Sequence, residues 1–241
     1  MDQALVERGL ARSRSQARDL VKRGCVTAGG AIATKAGLEV GADIDLQVAE
    51  GAQPWVSRGG LKLAAGLDAF GFDPQARIAL DVGASTGGFT QVLSARGAAR
   101  VYAVDIGSGQ LAPEIAADPR VIRLEHTDAR RLTRDVIPEP VTAVVADVSF
   151  ISLTSVLPVP LQLAAPGAWL VALIKPQFEV GREHVGKGGI VRSDHARAIA
   201  IERVCAWINS QPGWRTIGTM PSPVRGGSGN QEMLVGAVCD A

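Results

Sequence analysis

Apolar residues recur at helical intervals near the start of the chain and gather into short runs from residue 78 onward, so the hydrophobic period changes along the sequence. Ser13 stands three residues before Gln16, a capping-box spacing, and Ala17, Leu20 and Val21 follow on one helical face before Gly24 stops the pattern. This predicts a short amphipathic helix, with a shorter one before it around residues 4–8. Small strands are expected at 25–27, 31–34 and 44–48, joined by the Ala28-Gly29-Gly30 and Gly41-Ala42-Asp43 turns. At Gln53-Pro54-Trp55-Val56 the periodicity breaks, and the proline imposes an extended entry. The boundary is placed there: residues 1–52 form a first domain, 53–57 a linker and 58–241 a second domain. Beyond it, apolar runs at 78–82, 101–105, 121–124, 141–147, 168–175, 215–220 and 232–238 alternate with helix-length amphipathic stretches. Such alternation predicts an α/β domain with a mostly parallel sheet covered on both faces, whose ligands bind outside the carboxyl ends of the strands.

The whole chain carries a formal charge of only +1, but that charge is unevenly spread. Arg8, Arg12, Arg14, Arg18, Lys22 and Arg23 face a single acid, Asp19, within the 8–23 stretch. Residues four apart share a helix face, so Arg14, Arg18 and Lys22 are expected to form a basic stripe opposite the apolar side, suited to phosphates and indifferent to base identity. A solvated helix face is the ordinary explanation of such a run. Here Leu5-Val6-Glu7-Arg8-Gly9-Leu10-Ala11-Arg12-Ser13-Arg14-Ser15-Gln16-Ala17, followed by Lys22-Arg23-Gly24-Cys25-Val26-Thr27, resembles the S-four-type (αL) RNA-binding domain.

The first strand of the second domain delivers Asp81-Val82-Gly83-Ala84-Ser85-Thr86-Gly87-Gly88, and a helix is expected over 89–96, ended by Gly97. Glycines at a strand-to-helix turn let the backbone approach a ligand closely. A dinucleotide fingerprint would need glycine where Ser85 stands. Asp105 closes the next strand about twenty residues on, where an acid can accept from ribose hydroxyls. A loop without a phosphate cradle favours S-adenosylmethionine over a dinucleotide, with a ligand-free structural turn as the competing explanation. A second glycine-rich stretch, Gly181-Arg182-Glu183-His184-Val185-Gly186-Lys187, is set aside as a nucleotide loop because Gly188 occupies the position that must bind magnesium.

Lys62, Asp147, Lys175 and Glu232 are the candidate catalytic residues. Asp147 and Lys175 end the fourth and fifth strands, Glu232 opens the last, and Lys62 lies on a helix before the first. Each alone reads as a surface charge; two cations and two anions converging on one cleft could be buried as a compensated network. A ribose 2′-hydroxyl holds its proton near neutral pH, so its methylation needs a base or a cation for the developing alkoxide, and Lys175 could serve as either. Asp147-Val148-Ser149-Phe150 lacks the paired prolines of amino-methylating enzymes, and no cysteine stands in a nucleophile loop for carbon methylation.

Taken together, Ser57-Arg58-Gly59-Gly60-Leu61-Lys62-Leu63, the 83–90 loop, Asp105 with Gly109-Gln110-Leu111, Asp147-Val148-Ser149-Phe150-Ile151-Ser152-Leu153, Lys175-Pro176-Gln177-Phe178-Glu179-Val180-Gly181 and Gly229-Asn230-Gln231-Glu232 resemble the TlyA (hemolysin A) family of bacterial rRNA cytidine-2′-O-methyltransferases. The resemblance implies an S-four-type domain before a Rossmann-like, FtsJ-like methyltransferase domain, and a catalytic tetrad at Lys62, Asp147, Lys175 and Glu232. It implies S-adenosylmethionine contacts at Gly83, Ala84, Ser85, Gly87, Gly88, Asp105, Ile106, Asp128 and Ala129. Two positions depart from the family pattern. Gln53 replaces the arginine of the interdomain motif, and Asp128 replaces an asparagine near the adenine, where a carboxylate accepts but cannot donate. The chain resembles the short form of the family, which implies methylation of 23S rRNA in the large subunit.

Composition sets the remaining bounds. A length of 241 residues with 46% hydrophobic content predicts a folded, soluble protein of one large and one small domain. No apolar run approaches the roughly 20 residues of a spanning helix, and no signal-peptide core is seen, so a cytoplasmic location and no membrane partner are expected. Cys25, Cys205 and Cys239 are widely separated and have neither disulfide nor zinc spacing, so no metal is expected. A monomer is expected. The competing functions are a non-catalytic RNA-binding or ribosome-assembly factor, a membrane-active haemolysin and a small-molecule O-methyltransferase.

Overall fold

A computed structural model describes residues 1–52 and 55–240; the predicted boundary at Gln53 and Pro54 lies outside the described residues. The chain divides into two compact units, Met1–Ser57 and Arg58–Ala241.

In the first unit, helices α1 (Asp2–Glu7) and α2 (Arg14–Lys22) precede strands β1 (Val26–Ala28), β2 (Ala31–Ile32) and β3 (Leu46–Val48), paired antiparallel in the order β2-β1-β3. Both ends of α2 follow from the sequence. Ser13 Oγ accepts from Gln16 N at 3.2 Å, while Gln16 Oε1 accepts from Arg12 N at 2.6 Å, one residue ahead of the usual capping-box partner. At the other end Gly24 adopts φ +71°, its N–H bonds to Val21 O, and Cys25 N–H bonds to Leu20 O, a Schellman stop. Gly29 and Gly30, both at positive φ, close the β1–β2 hairpin. Strands β2 and β3 are shorter than the apolar runs imply. Leu5, Ala17, Leu20, Val21, Val26 and Leu46 form the small core.

The structure adds a counter-ion to the expected basic stripe. Arg14 and Arg18 both reach back to the buried carboxylate of Asp2, at 3.2 and 2.6 Å. These two guanidinium groups stay more than half exposed, but they are tied to a counter-ion that lies outside the sequence window in which the charge was counted. Arg8 donates to the carbonyls of Ala42 and Ile44, bracing the 41–44 turn, and Arg23 pairs with Asp19 at 2.8 Å. Arg12 and Lys22 are exposed, and Lys22 makes no ion pair among the described residues.

The second unit opens with α3 (Arg58–Phe70). There follow β4 (Ile78–Val82), α4 (Gly88–Ala95), β5 (Arg100–Val104), α5 (Pro113–Ala116), β6 (Val121–Leu124) and β7 (Val141–Ala146). Next come α6 (Leu153–Val156), α7 (Pro158–Gln162), β8 (Ala164–Ile174), α8 (Pro176–Glu179), α9 (Asp194–Asn209), β9 (Trp214–Pro221) and β10 (Met233–Cys239). The strands form one sheet in the order β6-β5-β4-β7-β8-β10-β9. β4 to β8 run parallel, whereas β10 is antiparallel to both β8 and β9. Strands covered on both faces must be apolar throughout, and Val141, Ala143, Val144, Val145 and Ala146 of β7 are completely buried. The strand order reverses between β4 and β7, and the crevice outside their carboxyl ends is where such a sheet takes a ligand.

Candidate functional site

Three strand ends and one helix bring four charged side chains together beside that crevice. Lys62, on α3, places Nζ 2.6 Å from Glu232 Oε2 and 3.9 Å from Asp147 Oδ2. Lys175, directly after β8, places Nζ 2.6 Å from Asp147 Oδ1 and donates to Ser149 Oγ at 2.9 Å. The four residues chosen from the sequence are therefore one chain of alternating charge, Glu232–Lys62–Asp147–Lys175. The side chains of Lys62 and Glu232 are 9% and 3% exposed, so in a low-dielectric setting each needs the other. Asp147, 20% exposed, forms the wetter end and lines the cleft, and Lys175, 11% exposed, is paired with it. Glu232 stands one residue before β10 and is not its first residue.

Beside this chain lies a cleft of about 340 Å³, the lower end of the range for a small-molecule site. Gly83, Ser85, Asp105, Ile106, Asp128 and Ala129 line it, together with Asp147 and Ser149. Gly83 has φ +85°, and a Cβ there would sit 2.8 Å from the Asp147 carbonyl oxygen, so only glycine lets the β4 turn close against the end of β7. Asp105 accepts from Ser85 N and from Gly107 N, both at 2.8 Å, which fixes the carboxylate at the cleft wall. Ala84, Gly87 and Gly88, expected to touch a cofactor, are buried under the loop and do not line the cleft. At Gly87 a Cβ would meet Leu111 at 2.8 Å and Ile115 at 3.1 Å, so this residue also lets the loop pack closely against residues 111–115.

Asp128, the unusual acid, does not present a bare carboxylate. Arg130 binds it through Nη2 at 2.6 Å and Nε at 3.0 Å, and this side-chain pairing holds the Asp128 carboxyl down at about 2. Its remaining acceptor capacity faces the cleft, in keeping with an amino group as partner and against a ring nitrogen.

Several residues of the site escaped sequence reasoning. Ser149, two positions after Asp147, is the hydrogen-bond acceptor of Lys175; the short spacing was its only signal. Phe150 is 91% exposed at the cleft wall, has φ +66° and packs a tilted ring on Phe178 with centroids 5.2 Å apart. A bulky residue in the left-handed region is rare, and nothing in its letter code announces it. Asp81 lies fully buried on β4, with Thr90 Oγ1 donating to Oδ2 at 2.6 Å and Oδ1 left without a partner. Burial pushes its carboxyl up to about 7 from 3.8. A raised folded-state value means that this group's stabilising contribution is full below about pH 4 and is lost as pH climbs to 7. Asp81→Asn should therefore melt higher than the wild type at pH 8, by an amount on the order of a few kcal/mol in stability, and converge with it near pH 4. Thermal melts that run parallel across this interval would contradict the assignment.

Comparison with known proteins agrees with this geometry. Residues 55–238 match the FtsJ-like methyltransferase family, and residues 2–43 match the S4 domain. The 16S/23S rRNA (cytidine-2'-O)-methyltransferase TlyA of Mycobacterium tuberculosis is 48% identical over 236 residues, 98% of this chain and 88% of that protein. Hemolysin A of Brachyspira hyodysenteriae is 35% identical, covering 97% of both chains. A solved structure from Streptococcus thermophilus, carrying a hemolysin name, superposes with a TM-score of 0.77 at 37% identity, over 98% of this chain and 86% of the other. With a parallel sheet of this order, a cleft at its switch point and near full-length identity of this level, the chain belongs to the FtsJ-like methyltransferase family, in its TlyA/hemolysin A branch.

Proposed function

We propose that the protein transfers a methyl group from S-adenosylmethionine to the 2′-hydroxyl of a cytidine in ribosomal RNA, with 23S rRNA of the large subunit as substrate. The observation that carries this reading is the buried chain Glu232–Lys62–Asp147–Lys175 opening beside an adenosine-sized cleft. Asp105 would accept from the ribose hydroxyls of the cofactor, Ile106 and Ala129 would flank its adenine, Asp128 would accept from the adenine amino group, and Gly83 and Ser85 would line the aminoacyl end. The cofactor supplies a sulfonium-activated methyl group.

Lys175 meets the incoming ribose. Its Nζ is held by Asp147 and Ser149, so the ammonium is aimed before the substrate arrives, and a preset charge costs no reorganisation as negative charge grows on O2′. The hydroxyl proton passes to the Asp147 carboxylate, which lines the cleft, as the bond from O2′ to the methyl carbon forms, and from there to solvent. Lys62 holds the second oxygen of Asp147, and Glu232 compensates Lys62. Phe150 offers a nucleobase an aromatic face at the mouth, the usual way in which a splayed base is held. On this reading the enzyme works where ribosomes are assembled, in the cytoplasm, and acts as a monomer. A non-catalytic RNA-binding factor would have no use for this buried network. Among the described residues no helix is long and apolar enough to cross a membrane.

The S4 unit supplies phosphate contacts through Lys22 above all, with Arg14 and Arg18 contributing less because Asp2 already neutralises part of their charge. Lys22→Ala should weaken RNA binding and flatten the dependence of log Kd on log salt by about one unit. Arg14→Ala should change the slope by less than half as much. Equal slopes for Lys22→Ala and the wild type, read by filter binding across salt concentrations, would remove α2 from the interface.

The substrate assignment is tested by offering purified large and small ribosomal subunits with methyl-labelled S-adenosylmethionine. Label is expected in 23S rRNA. Label confined to 16S rRNA, or to small molecules, would overturn it.

A further inference from the structure

Glu179 is a buried acid that the mechanism above leaves unused. Its side chain, 3% exposed as a residue, reaches from α8 to the start of α6, where Oε2 accepts from Ser152 Oγ at 2.6 Å and Oε1 from Leu153 N at 2.8 Å. Ser152 is the N-cap of α6, and Leu153 N is one of the amides that a helix start leaves without an internal partner. The backbone of Glu179 is itself pinned, since Arg203 on α9 donates to its carbonyl at 3.1 Å.

The place of these bonds matters more than their number. Residues 147–153 carry Asp147, Ser149 and Phe150; residues 175–179 carry Lys175 and Glu179. The two segments are stapled twice. At one end Lys175 grips Asp147 and Ser149; four residues later Glu179 grips Ser152 and Leu153. Asp147 N is anchored on Val82 O at 3.1 Å, so both ends of the intervening loop are fixed. Between them Phe150 holds a left-handed backbone, which for a bulky side chain costs on the order of 1–2 kcal/mol and persists only where the surroundings enforce it. Without the Glu179 staple, the loop can relax into an ordinary conformation, carrying Ser149 and Phe150 away from their present positions.

We infer that Glu179 is a positioning residue for methyl transfer: by clamping Ser152 and Leu153 it holds the Asp147–Phe150 loop, and with it Lys175, in reacting geometry. It touches neither substrate nor cofactor. The inference rests on the tetrad reading given above.

The test uses the full chain, large ribosomal subunits and saturating S-adenosylmethionine, well below the melting temperature of each variant. Glu179→Leu fills the same space without acceptors and should lower kcat at least tenfold while KM for subunits stays within threefold, because misplacing reacting groups by about an ångström is that damaging. Glu179→Gln keeps a carbonyl for Leu153 N and an amide for Ser152 Oγ, and should retain at least a third of wild-type kcat. A purely structural acid would lower the melting temperature in Glu179→Leu and leave kcat of the folded protein unchanged; kcat within twofold of wild type overturns the inference. So does a Glu179→Gln variant as impaired as Glu179→Leu. Should Glu179→Leu fail to fold, Ser152→Ala removes one of the two clamps, and a kcat at least threefold lower is expected, against an unchanged one. Lys175→Ala run in parallel separates the two levels: activity surviving there defeats the tetrad itself, whereas its loss beside a fully active Glu179→Leu defeats only the role of Glu179.

Discussion

Alanine at Lys175 should lower single-turnover methyl transfer by about 10³-fold, within the span associated with losing a positioned acid, base or charge in the transition state. Affinity for rRNA should change by less than twofold, since a single buried, ion-paired lysine outside the RNA-binding unit adds little to the binding surface. The size of the effect follows from how strongly the group is held. Its Nζ has a carboxylate oxygen at 2.6 Å and a hydroxyl at 2.9 Å, and its side chain is largely buried, so water cannot replace it in place. Arginine should rescue little: a planar fork cannot reproduce a compact ammonium at a site built around two acceptors. Quench-flow incorporation of label, paired with a binding isotherm for each variant, separates the two quantities. Loss of binding in step with loss of transfer would make Lys175 an RNA contact and not a member of the reacting set.

The other large effect concerns stability. Glu232→Ala leaves the Lys62 ammonium buried with only Asp147, 3.9 Å away, in place of a partner at 2.6 Å. Breaking one side of a buried pair costs about 3–5 kcal/mol, and for a domain of this size that corresponds to a fall in Tm of roughly 10 °C. Replacing both members by apolar residues, Lys62→Met with Glu232→Leu, should recover most of the Tm, because no orphan charge remains. It should not recover activity, because Asp147 loses the cation that holds its second oxygen. Calorimetry and turnover on the three proteins settle this together. A double variant that regains turnover along with Tm would mean that the pair serves folding alone.

Much of this architecture was legible in the letters. The run 78–82 is a strand as expected, because four apolar residues around Asp81, set between turn signals, have few alternatives in a doubly covered sheet. Val121–Leu124 was found in the same way. The glycine loop and Asp105 announce a nucleoside site through the backbone approach they permit. What periodicity does not encode is partnership across distance. Asp2 lies 12 and 16 residues from the arginines that it holds, so local counting of charge missed it. Lys62 and Glu232 meet at 2.6 Å across 170 residues; the strand-end placement of the charges suggested a common cleft, and the family resemblance supplied the set of four. The left-handed Phe150 and the unpartnered Asp81 oxygen were out of reach for a different reason: both are consequences of how neighbours close around a residue, and the residue type gives no sign of them. The position of Glu232, one residue ahead of its strand, reflects an ordinary boundary shift.

The most direct test is the chemical position of the transferred methyl group. Large subunits are incubated with the protein and methyl-labelled S-adenosylmethionine, and the rRNA is then hydrolysed in alkali and separated by mass spectrometry. A 2′-O-methyl group blocks cleavage of its own phosphodiester, so the label is expected in an alkali-resistant dinucleotide that begins with cytidine, absent when Lys175→Ala replaces the wild type. Label in an ordinary mononucleotide, carried on the base, would contradict the role assigned to the Glu232–Lys62–Asp147–Lys175 chain.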